Sequence, residues 1–185
     1  MRILYKIIKK WLPLAIATSG LCVLVYLTVQ QSLRLGANDP QIQMAEDAAS
    51  NLNSGASVEA VVPSTKVEIA ESLAPFVIVF DDSGKILASS AILHGAAPAY
   101  PAGVLDHARQ NGQDRVTWQP EVGVRMATVV VPYNNGIVMA GRSLTEVEQR
   151  ESQMEQLSVL AMLGIWVATL IVISLGELVG RKKSA

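Results

Sequence analysis

Two stretches of the chain carry no Asp, Glu, Lys or Arg, Trp11 to Leu33 and Gln156 to Gly176. A helix rises about 1.5 Å per residue and the hydrocarbon core of a bilayer is about 30 Å thick, so ~20 mostly apolar residues suffice to cross it. Both stretches meet that length and predict transmembrane helices over 11–33 and 157–176. Between them the apolar positions recur with shorter periods. Ile42, Ala45, Ala49 and Leu52 repeat at helical spacing, and Asp39-Pro40 before them is a helix start in which Asp caps and Pro fills the first turn. Asn53 to Ser57 reads as a loop. Thr65 to Leu73 predicts a helical turn or two, stopped by Pro75.

A second pattern begins at Phe76. Phe76-Val77-Ile78-Val79-Phe80 is apolar at every position, which predicts a strand buried on both faces. Asp81-Asp82-Ser83-Gly84 supplies turn residues, and Lys85 to Ser89 returns as the second strand of a hairpin. A loop with His94, Gly95, Pro98 and Tyr100 leads to a short helix from Pro101 to about Gln110, ended by Asn111-Gly112. Strands follow over Arg115 to Gln119, Val124 to Tyr133 and Ile137 to Gly141, with turns at Pro120 to Gly123 and Asn134 to Gly136. Ser143-Leu144-Thr145-Glu146 has the spacing of a capping box and opens one long helix leading into the second apolar stretch. The expected fold is α+β: an antiparallel five-stranded sheet with flanking helices, held between two transmembrane helices.

Charge adds an orientation. The net charge of −1 conceals a partition. Arg2, Lys6, Lys9 and Lys10 precede the first stretch, and Arg181, Lys182 and Lys183 follow the second. Residues 30–155 hold eight cations and fifteen acids, a net of −7. Positive flanks stay in the cytoplasm, which predicts both termini inside the cytoplasmic membrane and the acidic middle outside. Cations grouped beside membrane spans, rather than on a folded face, disfavour nucleic-acid binding. Cys22 is the single cysteine and lies in the first span, which excludes an intrachain disulfide and Cys-rich metal motifs. Leu21 directly before it argues against lipoprotein processing. The apolar stretch exceeds a signal-peptide core and no A-x-A-like site follows closely, so the first span is expected to be an uncleaved anchor.

The stretches FVIVFDDSGKILASS and VVVPYNNGIVMAGRS, with the strand order around them, resemble the PAS-like (Cache-type) extracytoplasmic sensor domains of bacterial histidine kinases and chemoreceptors. The resemblance covers Phe76 to Ser143. It implies a domain that receives a ligand or partner outside the membrane and moves the second span. No amine, carboxylate or dipeptide signature of that family is evident, so no binding residue is carried over. Such receptors continue into a kinase or methyl-accepting region, whereas here Glu177 to Ala185 contain no phosphoacceptor or nucleotide-binding loop. The expectation is therefore a non-enzymatic protein that signals laterally to another membrane protein.

Six polar or aromatic residues are candidates for a cavity between sheet, short helix and loop: His94, Tyr100, Trp118, Arg125, Tyr133 and Arg142. Arg125 interrupts an apolar strand on the face of Ala127, Val129, Val131 and Tyr133. A cation there needs an anionic partner, either a carboxylate ligand or a structural acid among Glu121, Asp81 and Asp82. Trp118 shares a face with Val116 and reads first as core. His94 reads as a lid residue or metal ligand, but His107 is the only other histidine, and neither a metal site nor a cofactor is expected. Asp81-Asp82 is explained by its turn, and no nucleophile has a supporting motif. Gly141, Arg142 and Ser143 form the strand-to-helix junction. Glu177 is expected to pair with Arg181 one turn on. Leu144, Val147, Met154 and Leu157 are a short apolar repeat that would serve a homodimer.

The domain boundaries expected are a basic N-terminus (1–10), the first span (11–33), a helical lead-in (34–75), the PAS-like domain (76–143), a connecting helix (144–156), the second span (157–176) and a basic tail (177–185). The competing function is a structural or assembly subunit that uses the domain only as a protein-docking surface.

Overall fold

The computed structural model describes residues 2–36 and 38–182, without the side chains of Arg2, Arg181 and Lys182. Ala37 in the expected helical lead-in and residues 183–185 of the basic tail lie outside the described residues. Helix α1 spans Arg2–Gly36 and α5 spans Thr145–Lys182. Both are long and apolar enough to cross a membrane. The chain divides into two units, Arg34–Glu148 and a helix pair from the remaining residues.

In the first unit, α2 (Asp39–Asn53) starts one residue earlier than a cap at Asp39 requires. Asn38 is the capping position, without a side-chain bond, and Asp39 and Pro40 occupy the first turn. Helix α3 (Val58–Val61) follows, with Ser57 Oγ accepting from Ala60 N–H. It is one turn long and was read from the sequence as part of the lead-in. The stretch Thr65 to Leu73, expected as a helical turn or two, opens as β1 (Val67–Glu68), paired in parallel with β4 (Ala91–Ile92), and then makes a single turn closed by Ser72 N–H to Glu68 O at 2.8 Å. Val67 and Ile69 both bury their side chains, a period of two that is too brief to stand out from a helical pattern.

The main sheet is built from β2 (Phe76–Asp81), β3 (Ile86–Ser89), β5 (Asp114–Glu121), β6 (Val124–Tyr133) and β7 (Gly136–Ser143), in the order β3-β2-β7-β6-β5. Every neighbouring pair is antiparallel. The first and last strands thus lie side by side, Phe76 opposite Gly141 and Asp81 opposite Gly136. The apolar run of β2 takes this central place because both its faces are covered. Phe76, Ile78 and Phe80 join the core beneath α4 (Ala102–Asn111), while Val77 and Val79 join the core beneath α2.

Strand β5 runs beyond its expected end at Gln119 and through Pro120. It can do so because it is an edge strand, where a missing N–H breaks no inner ladder, and its register shifts between Trp118 and Glu121. The turn is then only Val122-Gly123. Strand β7 likewise continues past Gly141 to Ser143, so the three junction residues lie inside the sheet.

In the second unit α1 and α5 pack antiparallel. Trp11 meets Trp166 edge to face at 5.9 Å between ring centroids. Its Nε1–H donates to Trp166 O at 3.0 Å and to Thr169 Oγ1 at 3.1 Å. Glu177 pairs with Lys10 across the two helices at 2.5 Å; the side chain of Arg181, the local partner expected from the sequence, lies outside the described residues. Lys10 offers the carboxylate a cation from the facing helix.

Candidate functional site

The junction between sheet and helix is where named polar residues converge. Ser143 ends β7, and after Leu144 the chain is helix. Leu144 N–H donates to Arg125 O at 2.9 Å, and Glu148 N–H donates to Leu144 O at 2.9 Å, closing the first turn. Arg142 lies opposite Ala127 in the β6–β7 register, which places it on the same sheet face as Arg125. Each guanidinium takes one carboxylate of the helix start. Arg142 Nη2 donates to Glu146 Oε2 at 2.6 Å, and Arg125 Nη1 donates to Glu148 Oε1. Acids in the first turn also sit well against the positive end of the helix dipole.

Arg125 is therefore exposed and paired with Glu148, not with Glu121, Asp81 or Asp82, and it does not point into a core. The parity of the strand was read correctly, but Arg125 stands near the open end of β6. Glu121 pairs with His94, and Asp81 serves its own turn. Asp81 accepts from Ser83 Oγ at 2.6 Å and from the amides of Ser83 and Lys85 at 2.9 Å each. The Ser83 hydroxyl and the Lys85 amide hold its carboxyl below the usual range.

The expected capping box gives way to a tighter local turn, and the Glu146 carboxylate takes Arg142. Ser143 Oγ meets Thr145 Oγ1 at 2.8 Å and accepts from Thr145 N–H at 3.2 Å, so it caps one residue earlier than expected. Gly141 is needed for close approach, since a Cβ there would collide with the Phe76 ring. Of the apolar repeat after the junction, Leu144 and Val147 are half-buried, while Met154 and Leu157 are exposed.

Trp118 and Tyr100 do come together, on the opposite sheet face. Trp118 is 5 % exposed, and its ring stands edge-on to Tyr100 at 5.0 Å. Phe80 flanks Tyr100 on the other side at 6.2 Å. Tyr100 Oη and Thr128 Oγ1 are 2.8 Å apart, and the threonine hydroxyl lies 2.9 Å from Val116 O, to which it donates. Burial pushes the Tyr100 phenol up to about 12. Thr128, fully buried and central to this chain of bonds, was not singled out from the sequence; a hydroxyl among apolar strand residues was the available signal. Because Trp118 faces α4 and Arg125 faces the α2 side, one cavity cannot be lined by both.

Tyr133 packs half-buried on the α2 side and is separated from Tyr100 and Trp118 by the sheet. His94 belongs to a tight turn, with φ +53° followed by Gly95 at φ +81°. Leu93 and Ala96 exchange backbone bonds of 2.8 and 3.2 Å around it, the two-residue turn of a hairpin. Positive φ is uncommon outside glycine, although histidine adopts it more often than most residues, and two acids engage His94 in this turn. His94 N–H donates to Glu68 Oε1 at 3.2 Å and its Nε2 lies 2.8 Å from Glu121 Oε2. The hydrogen bond and charge of Glu121, then Glu68 and Glu71, raise the imidazole above its ordinary value. Among the described residues no group of three or more His, Cys, Asp or Glu side chains is placed to hold a metal ion.

The site residues thus fall into four places: a junction (Arg125, Gly141, Arg142, Ser143), an aromatic cluster (Tyr100, Trp118), a surface clasp (His94), and Tyr133 by itself on the α2 side. The chain matches no protein-family model, no curated protein and no solved structure.

Proposed function

We propose that this is a two-span membrane protein whose extracytoplasmic domain is PAS-like (Cache-type). The domain receives a signal and passes it through the junction to α5 and then to another membrane protein. The carrying observation is that the last, central strand of the sheet becomes the long helix after a single residue, with a guanidinium from each of β6 and β7 gripping its first turns. A shift of β6 against β7 would reach α5 directly, since packed elements move between discrete arrangements rather than deforming smoothly. An antiparallel five-stranded sheet with flanking helices supports this reading at the level of fold class. The basic flanks of the two apolar helices support an outside location for the domain.

The input is a protein partner in preference to a small carboxylate. What supports this is the filled α4 side of the sheet, where Tyr100, Trp118, Phe80 and Met126 occupy the place a ligand would take, and the committed state of Arg125. The same observation favours, as a second reading, an assembly subunit in which the domain only docks.

The test uses the full chain in its native membrane. Photocrosslinking from Leu157 should capture a separate membrane protein, and the Arg125→Ala, Arg142→Ala double variant should abolish the output that partner controls while the chain stays folded. Capture with unchanged output would favour docking alone. A thermal shift by organic acids that Arg125→Ala removes would restore the small-ligand reading.

A further inference from the structure

Between α1 and α5 lies a cleft of about 200 Å³, lined by Cys22, Val23, Tyr26, Glu155, Ser158, Val159 and Met162. Its polarity is graded along the helices. Tyr26, Glu155 and Ser158 form one end, and Cys22, Val23, Val159 and Met162 form the rest. The hydroxyls of Thr18, Ser19, Thr28, Thr169 and Ser174 each return a hydrogen bond to the carbonyl four residues back. By contrast Tyr26 Oη, Ser158 Oγ and the Glu155 carboxylate make no hydrogen bond to any described residue. Three polar groups without a partner among the described residues therefore rim an apolar floor, and the rim lies toward the start of the second span, where a membrane changes from headgroups to chains.

We propose that this cleft is a binding site for an amino-headgroup phospholipid, of the phosphatidylethanolamine class. The acyl chain lies along Val23, Val159, Cys22 and Met162, and the ammonium meets the Glu155 carboxylate beside Tyr26 and Ser158. Charge complementarity selects the headgroup: an ammonium donates to a carboxylate in a charge-assisted bond, whereas an anionic glycerol headgroup would be repelled. The cleft is too small for a further helix, whose body with side chains is about 10 Å across, but has the width of a chain segment. An unfilled void would forfeit dispersion contacts along its lining.

The proposal rests on both helices crossing the membrane, which alkaline carbonate extraction checks separately. A chain released into the supernatant would sink the two-span reading, and the lipid site with it. The full chain is then placed in nanodiscs of phosphatidylethanolamine and phosphatidylglycerol in equal parts and released for native mass spectrometry. Retained lipid should be enriched in phosphatidylethanolamine on the order of tenfold, the worth of one charge-assisted contact. Glu155→Gln should erase the enrichment while lipid is still retained. Met162→Trp, which fills the floor, should lose lipid of both kinds, and Val159→Phe repeats that test at a different wall should the first variant fold poorly. Retention in the proportion of the bulk mixture by the unaltered chain would overturn the proposal. So would a disulfide-linked dimer through Cys22 on mild oxidation, which would lay a second copy's helix across the mouth of the cleft and exclude lipid from it.

Discussion

The two faces of the sheet are covered in opposite ways. On one, Ala45, Ala48 and Ala49 of α2 lie against Val77, Val79, Val129, Val138 and Ala140, so small side chains meet and a fifteen-residue helix comes close to the strands. On the other, a ten-residue helix supplies only Leu105 and Ala108 as fully buried residues, and Phe76, Phe80, Trp118, Met126 and Met139 fill the space with bulk. Close packing is reached either by approach or by filling. The difference matters for function. The close face carries Arg125 and Arg142 at its open end and leads to α5, whereas the filled face holds the aromatic residues that a cavity reading would have used.

The comparison predicts a sequence of effects, here from large to small. Phe80→Ala should cost about 3–5 kcal/mol, the transfer loss plus a cavity that α4 is too short to close. Trp118 fluorescence in a Trp11→Phe, Trp166→Phe background would follow urea unfolding of the sheet alone. Ala49→Leu should cost about 1–3 kcal/mol through overpacking; a neutral result would show that α2 does not approach closely. Tyr100→Phe should cost about 1 kcal/mol, since Thr128 keeps its bond to Val116 O.

Tyr100 also carries a pH signature. Its folded value of about 12 exceeds the free phenol value of about 10, so the folded state holds its proton more tightly. The corresponding stability is complete below about pH 10 and is lost as pH rises toward 12. Denaturation midpoints of the native chain and Tyr100→Phe should converge over that window. Arg142→Ala, at a solvent-accessible pair, should cost no more than about 1 kcal/mol, yet should uncouple α5 from the sheet. The smallest effect belongs to His94. Its raised value means that the clasp to Glu121 is fully present below the ordinary histidine range and fades as pH rises through the folded value. Glu121→Gln should lower the His94 midpoint in an NMR titration, and no change would show that the ion pair does not form in solution.

Periodicity carried most of the architecture. Uncharged length announced α1 and α5, an uninterrupted apolar pentapeptide announced β2, and Gly112, with φ +80° at the end of α4, stands where the sequence placed a stop. The short elements β1, β4 and α3 left no periodic trace and were absent or misassigned, whereas β3, as short as α3, was marked by the turn before it. His94 lies in a loop of Gly, Pro and Ala, so the sequence offered a lid residue or a metal ligand there, and only the fold brings Glu68 and Glu121 to it.

Sequence by itself determined which residues share a strand face and where charge changes sign, because alternation and composition are local properties. It placed Arg125 with Val129 and Tyr133, and Trp118 with Val116, without knowing what lay over either face. Tertiary structure alone decided the partners. Glu148 reaches Arg125, Thr128 reaches Tyr100, and Lys10 reaches Glu177 across separations of 23, 28 and 167 residues. At such distances in the chain, a polar group's partner is set by how elements pack and not by any spacing within them.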